Sequence, residues 1–387
     1  MAERDLTASP ARIRRARLYD TVRTAHLERA RQLPPATILY GGQRYDFDAA
    51  LAAQVDVRRT SSWQAARLLG RDRVELLEIN EPASFHSARR TATSLLWLGA
   101  GRWFLRRPRT TVVTYAIGNV NPFEATRPAR LRPRLGDTLN RGLARYIWRR
   151  TDRIAFGTPA AADAYAESFS GMPDAATTIP ALPAPCDCVT DDPRPPRVVF
   201  LGDLSERKGA PVVFGAWPAV AARLAEARLL VLGKGPLLEQ AAALAESDPS
   251  VGLVVDPSRP QIHEALASAR VLVLPSQPMP LWREQIGLPI LEGLAHGCVV
   301  VTTDESGLAP WLRENGHYVV PGDGDPAKVA DAIVEALSSG ADPASVRSAL
   351  PPVDGRLVAD AWLFGDPDPR TAAGSNTHQG QPEPSQR

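Results

Sequence analysis

The chain has 387 residues, 44% of them hydrophobic, with 45 basic and 43 acidic side chains for a net charge of +2. That length holds two domains of ordinary size. Three cysteines (Cys186, Cys188 and Cys298) exclude a disulfide framework, and no uninterrupted apolar run is long enough to span a bilayer.

The near-zero net charge hides an asymmetry. Residues 1–190 carry 29 arginines against 18 acids, a balance of +11, and residues 191–387 carry a balance of −9. A basic first half favours an anionic partner, such as a membrane surface or a phosphorylated acceptor. No recognised nucleic-acid module appears, so nucleic acid is not expected. The first residues do not form a signal peptide, and a cytoplasmic location is expected. Contact with the inner membrane face is the extension that the basic half allows.

In chain order, residues 1–35 read as helical, with arginines from Arg12 to Arg31 and a thin apolar face of Leu18, Val22 and Leu33. Strands are expected at Thr37 to Tyr40, Val55 to Val57 and Arg73 to Ile79, with a short helix at Ala65 to Leu69. Ser87 to Leu105 is a helix rich in Leu and Trp that ends beside Arg106, Arg107 and Arg109. It is read either as packed on a sheet with a solvated basic end or as lying in a membrane interface.

Thr111 to Tyr115 is a β-branched strand followed by Ala116 to Asn119, where α/β proteins place ligand loops. Arg127 to Arg134 is a basic, Pro-rich loop. A helix at Leu139 to Arg150 and a strand at Asp152 to Phe156 follow. Thr158 and Pro159 then make a helix start, with Thr158 as N-cap. Residues 181–196, rich in Pro and Asp, read as a linker. Cys186 and Cys188, two apart, look badly placed to bridge each other, and no metal-ligand cluster is evident.

The second half alternates strand and helix regularly. Strands at Arg197 to Leu201, Arg228 to Leu232, Val251 to Val255, Val271 to Leu274, Cys298 to Val301 and Tyr318 to Val320 imply a doubly wound parallel sheet. Its ligand loops are 202–209, 233–236, 275–292 and 303–308. Two of the three lysines, Lys208 and Lys234, fall on these loops, where a point charge can meet a diphosphate. In Glu284 to Val301, Gly287 permits close backbone approach and Pro289 suits a first helical turn, whose free N–H groups favour a phosphate. Glu284 and Glu292 are suited to sugar hydroxyls, although ordinary surface glutamates would look the same. The expected division is 1–190, 191–345, a closing helix in 346–365 that packs back toward the first domain, and a disordered tail at 366–387.

Several elements of this half together resemble the nucleotide-sugar half of GT-B glycosyltransferases, in particular the large retaining family 4. They are Val198 to Gly209, Gly233 to Pro236, Pro275-Ser276, and Glu284 to Val301 with Glu284 and Glu292 separated by seven residues and Ala295-His296-Gly297 after them, then Glu314-Asn315-Gly316 and Val320 to Asp323. The resemblance implies two Rossmann-like domains facing across a cleft. It also implies transfer of a sugar from a nucleotide diphosphate sugar to an acceptor hydroxyl with retention, without a metal or other cofactor. By the same resemblance Glu284 lies beside the transferred sugar and Glu292 on the ribose. Gly287 and Leu288 offer backbone to sugar and phosphates, and Lys208, with Arg207, meets the diphosphate. Gly202, Lys234 and Gly235 complete the donor loops.

Two departures stand out. Asp203 follows Gly202 where the family carries Arg, and the acceptor-side His is absent after Thr111 to Tyr115, which leaves His86 as the candidate. A catalytically weak partner subunit and a nucleotide-sugar epimerase or hydrolase are the rival readings. The acceptor, a small molecule or an anionic lipid, is not specified by sequence.

Overall fold

A computed structural model of the chain describes residues 12–44, 47–123, 135–188, 192–279 and 282–365. The basic loop at 127–134 and the tail from 366 lie outside the described residues.

The described residues form two parallel sheets. The first has strands β1 (Arg15–Val22), β2 (Thr37–Gln43), β3 (Val57–Arg59), β4 (Leu76–Ile79), β5 (Thr111–Ala116), β6 (Arg153–Phe156) and β7 (Ala175–Thr178), in the order β3-β2-β1-β4-β5-β6-β7. The second has β8 (Arg197–Leu201), β9 (Arg228–Leu232), β10 (Val251–Val254), β11 (Val271–Leu274), β12 (Val299–Thr303) and β13 (Tyr318–Val320), in the order β10-β9-β8-β11-β12-β13. Each is a doubly wound sheet whose order reverses at one point, between β1 and β4 and between β8 and β11. The crevice at such a reversal is where open α/β sheets take ligands.

The second sheet follows directly from its sequence. Its central strands Val-Val-Phe-Leu, Val-Leu-Val-Leu and Val-Val-Val-Thr-Thr are apolar or β-branched throughout and buried on both faces, as helices on both sides of a parallel sheet require. Helix starts follow their caps as well. The Thr158 hydroxyl accepts from the Ala161 N–H at 3.1 Å, and Ser61 and Gln64 form a reciprocal capping box.

The first sheet contains the main correction. Residues 15–22 are not helical: they form β1, the central strand, paired with both β2 and β4. A helix, Thr24–Ala30, follows only after it. The misreading comes from Arg17, which is buried in the middle of this strand. Its guanidinium meets Glu78 from β4, and Asp360 at 2.6 Å. Asp360 lies on the C-terminal helix Gly355–Phe364, where Arg356 also pairs with Glu78 and, at 3.1 Å, with Asp360. Two guanidiniums and two carboxylates thus neutralise one another inside the protein.

Through this cluster, and through Ala359, Leu363 and Phe364 packed on Leu76, Val113 and Ala155, the last helix lies against the first sheet. Burial would raise the Glu78 carboxyl, but the charges of Arg356 and Arg17 outweigh it and hold the group at about 2. Asp360 moves the other way, raised by burial and by the charge of Glu78.

Candidate active site

Lys208 stands at the centre of the candidate site. It lies in the loop after β8, and its ammonium pairs with the Glu284 carboxylate from the loop after β11. The Ser276 hydroxyl donates to the same Glu284 oxygen at 2.8 Å. Glu284 is only 6% exposed, so two donors hold it where an unpaired carboxylate would be costly.

The loop geometry behind this pair depends on Gly209. Its φ is +72°, and a Cβ there would come within 1.9 Å of the Pro275 carbonyl oxygen. Only glycine lets the Lys208 loop press against the Pro275-Ser276 backbone.

Trp282 adds a platform: the Arg207 guanidinium lies over its ring at 4.6 Å and the Lys208 ammonium at 5.5 Å. Asp203, the departure noted in the first loop, accepts from Arg207 at 3.4 Å. Its charge is therefore directed at a neighbouring cation, and Arg207 is partly neutralised as a result. Gly202 and Gly235 both have positive φ and bring their loops together, with the Leu204 N–H donating to the Lys234 carbonyl at 2.9 Å. The Lys234 side chain pairs with Asp256 at 2.7 Å at the edge of this cluster.

Gly287, at φ +78°, caps the helix Leu288–Ala295, and Leu288 is exposed at its first position. Pro289 has no N–H and the Ile290 N–H donates to the Gly287 carbonyl at 2.8 Å, so this helix start offers the positive end of its dipole beside the Glu284 loop rather than a row of free donors. Glu292, one turn on, is engaged by Arg259; a ribose would compete with that guanidinium for the carboxylate.

The first sheet contributes from its own strand ends. After β4, Glu81 accepts from the Ile117 and Gly118 N–H groups at 3.1 and 3.0 Å and from the Tyr165 hydroxyl at 3.3 Å. Burial holds its carboxyl above the ordinary range, against the pull of those hydrogen bonds. After β5, Asn119 reaches across the cleft and donates its side-chain amide to the Glu284 carbonyl at 2.9 Å. The strand ends of both sheets therefore face one another around Glu284.

The structure thus joins Lys208, Glu284, Arg207, Gly287 and Leu288 around one crevice. Lys234 and Glu292 sit at its edge with partners of their own. His86 is exposed on the first turn of the helix Phe85–Leu105 and makes no hydrogen bond or ion pair among the described residues. Sequence reasoning missed Glu81 as an organiser of the Ile117-Gly118 turn, and Trp282 as a cation platform. A glutamate following a strand was the available signal for the first, and an aromatic two residues before Glu284 for the second.

A second cluster corrects the reading of the cysteines. Cys186 and Cys188 are bonded to each other, their Cα atoms 5.3 Å apart. Their sulfurs and one ring nitrogen each of His263 and His296 all lie within 4.8 Å of one another. The two-residue spacing bridges because the linker curls. The histidines arrive from helices distant in sequence, so no local pattern announces the group.

The fold is that of a GT-B protein: two facing doubly wound domains, with the loops after β8 and β11 meeting at the reversal point of the second sheet. Comparison with known proteins places the second domain more closely, since residues 195–339 match the family model described as glycosyl transferases group 1. The chain therefore has the GT-B fold, and within it residues 195–339 are similar to the glycosyl transferases of group 1. Over 146 residues it is 34% identical to a phosphatidyl-myo-inositol mannosyltransferase of Mycobacterium leprae, a match covering 36% of this chain and 37% of that protein. It is 29% identical over 148 residues to a GDP-mannose-dependent alpha-(1-6)-phosphatidylinositol monomannoside mannosyltransferase of Mycobacterium tuberculosis, covering 37% and 38%. These matches span little more than a third of each relative's length.

Across the whole fold, WaaG, a glycosyltransferase involved in lipopolysaccharide biosynthesis, superposes with a TM-score of 0.60 at 14% identity, covering 91% of this chain and all of that one. Anabaena HepE in complex with UDP gives 0.58 at 13% identity, covering 90% and 95%.

Proposed function

We propose that the protein transfers a sugar from a nucleotide diphosphate sugar to an acceptor hydroxyl with retention of configuration. The observation that carries this reading is the buried Lys208–Glu284–Ser276 group at the reversal point of the second sheet, closed from the first domain by Asn119. In this reading the diphosphate rests on Lys208, on Arg207 and on the first turn of the helix Leu288–Ala295, whose charges stabilise it as it leaves. The bond from the anomeric carbon to phosphate breaks, the bond to the acceptor oxygen forms on the same face, and the acceptor proton passes to the departing diphosphate oxygen. Glu284 aligns the sugar, and Glu292, exchanging Arg259 for ribose, holds the nucleoside. His86 is the acceptor-side candidate.

The acceptor is inferred to be carried on an anionic lipid. The helix Phe85–Leu105 buries one face from Ser87 to Leu95 but ends with Trp103 81% and Phe104 79% exposed, beside exposed Leu105, Arg102 and Arg106. Aromatic side chains ringed by arginines suit the headgroup region of a membrane. The curated relatives, by name, act on phosphatidylinositol and its mannosides, which supports this choice.

Asp203 favours one rival. By engaging Arg207 it lowers the charge available to a diphosphate, as a catalytically weak partner subunit would tolerate. A panel of UDP-, GDP-, ADP- and dTDP-sugars, tested by calorimetry and product detection with and without anionic lipid vesicles, separates the two. Micromolar binding of one donor that is lost in E284A supports transfer. A folded protein that binds no donor sinks it and leaves the partner role.

A further inference from the structure

We infer that Cys186, Cys188, His263 and His296 form a structural zinc site that fastens the interdomain linker to the C-terminal end of the helix Leu288–Ala295. The donor set is two sulfurs and two imidazoles, the chemistry of a closed tetrahedral zinc centre. Zinc bonds of ~2.0 to 2.3 Å place tetrahedral ligand atoms about 3.3 to 3.8 Å apart. The Cys188 sulfur lies 3.6 Å from His296 Nε2, His263 Nδ1 lies 3.0 Å from the same nitrogen, and all four ligand atoms fall within 4.8 Å.

An independent observation orients the histidine. His296 Nδ1 lies 2.7 Å from the Glu292 carbonyl oxygen. A carbonyl only accepts, so Nδ1 carries the proton and the lone pair on Nε2 faces His263 Nδ1 and the Cys188 sulfur. A backbone carbonyl on the far ring nitrogen is the usual support of a metal-bound imidazole. The surroundings are fixed as well: the Cys186 N–H donates to the Ala295 carbonyl at 2.8 Å, and Arg194 donates to the His296 carbonyl at 2.6 Å. His263 is presented by the helix Arg259–Ser268.

The disulfide and the metal are alternatives, because bonded sulfurs have no thiolate to offer. A dithiol reductant delivers two electrons and two protons to the Cys186–Cys188 bond and is itself oxidised to a disulfide. The two thiols then lose their protons as zinc binds. The site lies at the opposite end of the helix from Gly287 and Leu288, so its role is to brace that helix, with no part in the chemistry.

The test uses the full chain, reduced with dithiothreitol and dialysed against Zn²⁺, with metal measured by mass spectrometry and Co²⁺ substituted for spectroscopy. The expected result is about one tightly held metal per chain. The cobalt form should show thiolate-to-metal charge transfer and the strong visible bands of tetrahedral coordination. C188A, at an exposed position, and H263A should each bind more than about 100-fold more weakly while keeping the wild-type circular dichroism. A reduced wild type that takes up no zinc, a cobalt spectrum without thiolate bands, or C188A binding as tightly as wild type would each overturn the assignment.

Discussion

Asn119, on the loop after β5, donates its side-chain amide to the backbone carbonyl of Glu284, on the loop after β11, at 2.9 Å. One hydrogen bond therefore reaches from the first domain to the backbone of the residue that pairs with Lys208. Gly307 donates to the same carbonyl at 3.1 Å, so Glu284 is held from both sides of the cleft. N119A removes one of these and is expected to cost about 1 kcal/mol of stability. In the transferase reading it also lowers kcat/KM about tenfold, with a smaller change in donor Kd. Unchanged steady-state kinetics would show that the contact does not align the site.

The Lys208–Glu284 pair makes a sharper prediction. K208M leaves the Glu284 carboxylate buried with only Ser276 as donor, and is expected to destabilise the protein by about 3 kcal/mol. E284Q keeps the shape and leaves Lys208, mostly buried, without its counter-charge. Its Tm should fall less, while turnover falls about 100-fold or more. Equal denaturant midpoints for K208M and wild type would count against a buried, paired geometry.

Replacing Gly209 is expected to act through the backbone. G209A asks an alanine to adopt φ +72° with its methyl 1.9 Å from the Pro275 carbonyl oxygen. Relief requires the Lys208 loop to move away from Ser276, at a cost of about 1 to 3 kcal/mol. Donor affinity, read by calorimetry, should fall more than it does for a substitution at exposed Glu206 in the same loop.

Acid stability follows from the buried charge cluster. Glu78 is held at about 2, below its ordinary value of 4.5. A depressed carboxyl stabilises the fold fully above the unfolded value and loses that contribution as pH falls through the folded one. The window runs from about pH 4.5 down toward 2, and the contribution is at most ~3 kcal/mol. Asp360 is raised, so its protonation favours the fold as pH falls and offsets part of the loss. Denaturant midpoints across this range should fall for wild type and change less for E78Q, which is already weakened at neutral pH. An identical acid limb in the two proteins would remove Glu78 from the account.

The exposed aromatic turn gives a separate test. W103A and F104A remove side chains 81% and 79% exposed, so Tm should change by less than about 0.5 kcal/mol equivalent. Sedimentation with anionic vesicles should fall markedly for both, and more steeply for the pair. Vesicle binding equal to wild type would leave this turn without the proposed role.

Much of this protein was legible residue by residue. The apolar runs at 198–201, 271–274 and 298–301, each bounded by turn residues, read as buried parallel strands, and the structure extends the last to Thr303. The glycines and capping residues mark the loops between them, and the resemblance of the Glu284 to Gly297 stretch to the retaining family 4 implies a nucleotide-sugar domain. β1 was hidden because its buried Arg17 looks like a surface charge until Glu78 and Asp360, 61 and 343 positions away, are brought beside it. Asp203 looked like repulsion against a diphosphate, and its contact with Arg207 appears only once the loop is folded.

The sequence by itself determined the alternation of strands and helices and the position of the loops at the strand ends, because burial pattern and backbone freedom are local properties; the class of ligand came only as an implication of the family resemblance. Only the tertiary structure decided which charges neutralise one another, that Asn119 closes on Glu284, and that Cys186 and Cys188 meet His263 and His296. These are convergences of side chains from distant elements. Their energies depend on distance and burial, which the order of residues along the chain does not encode.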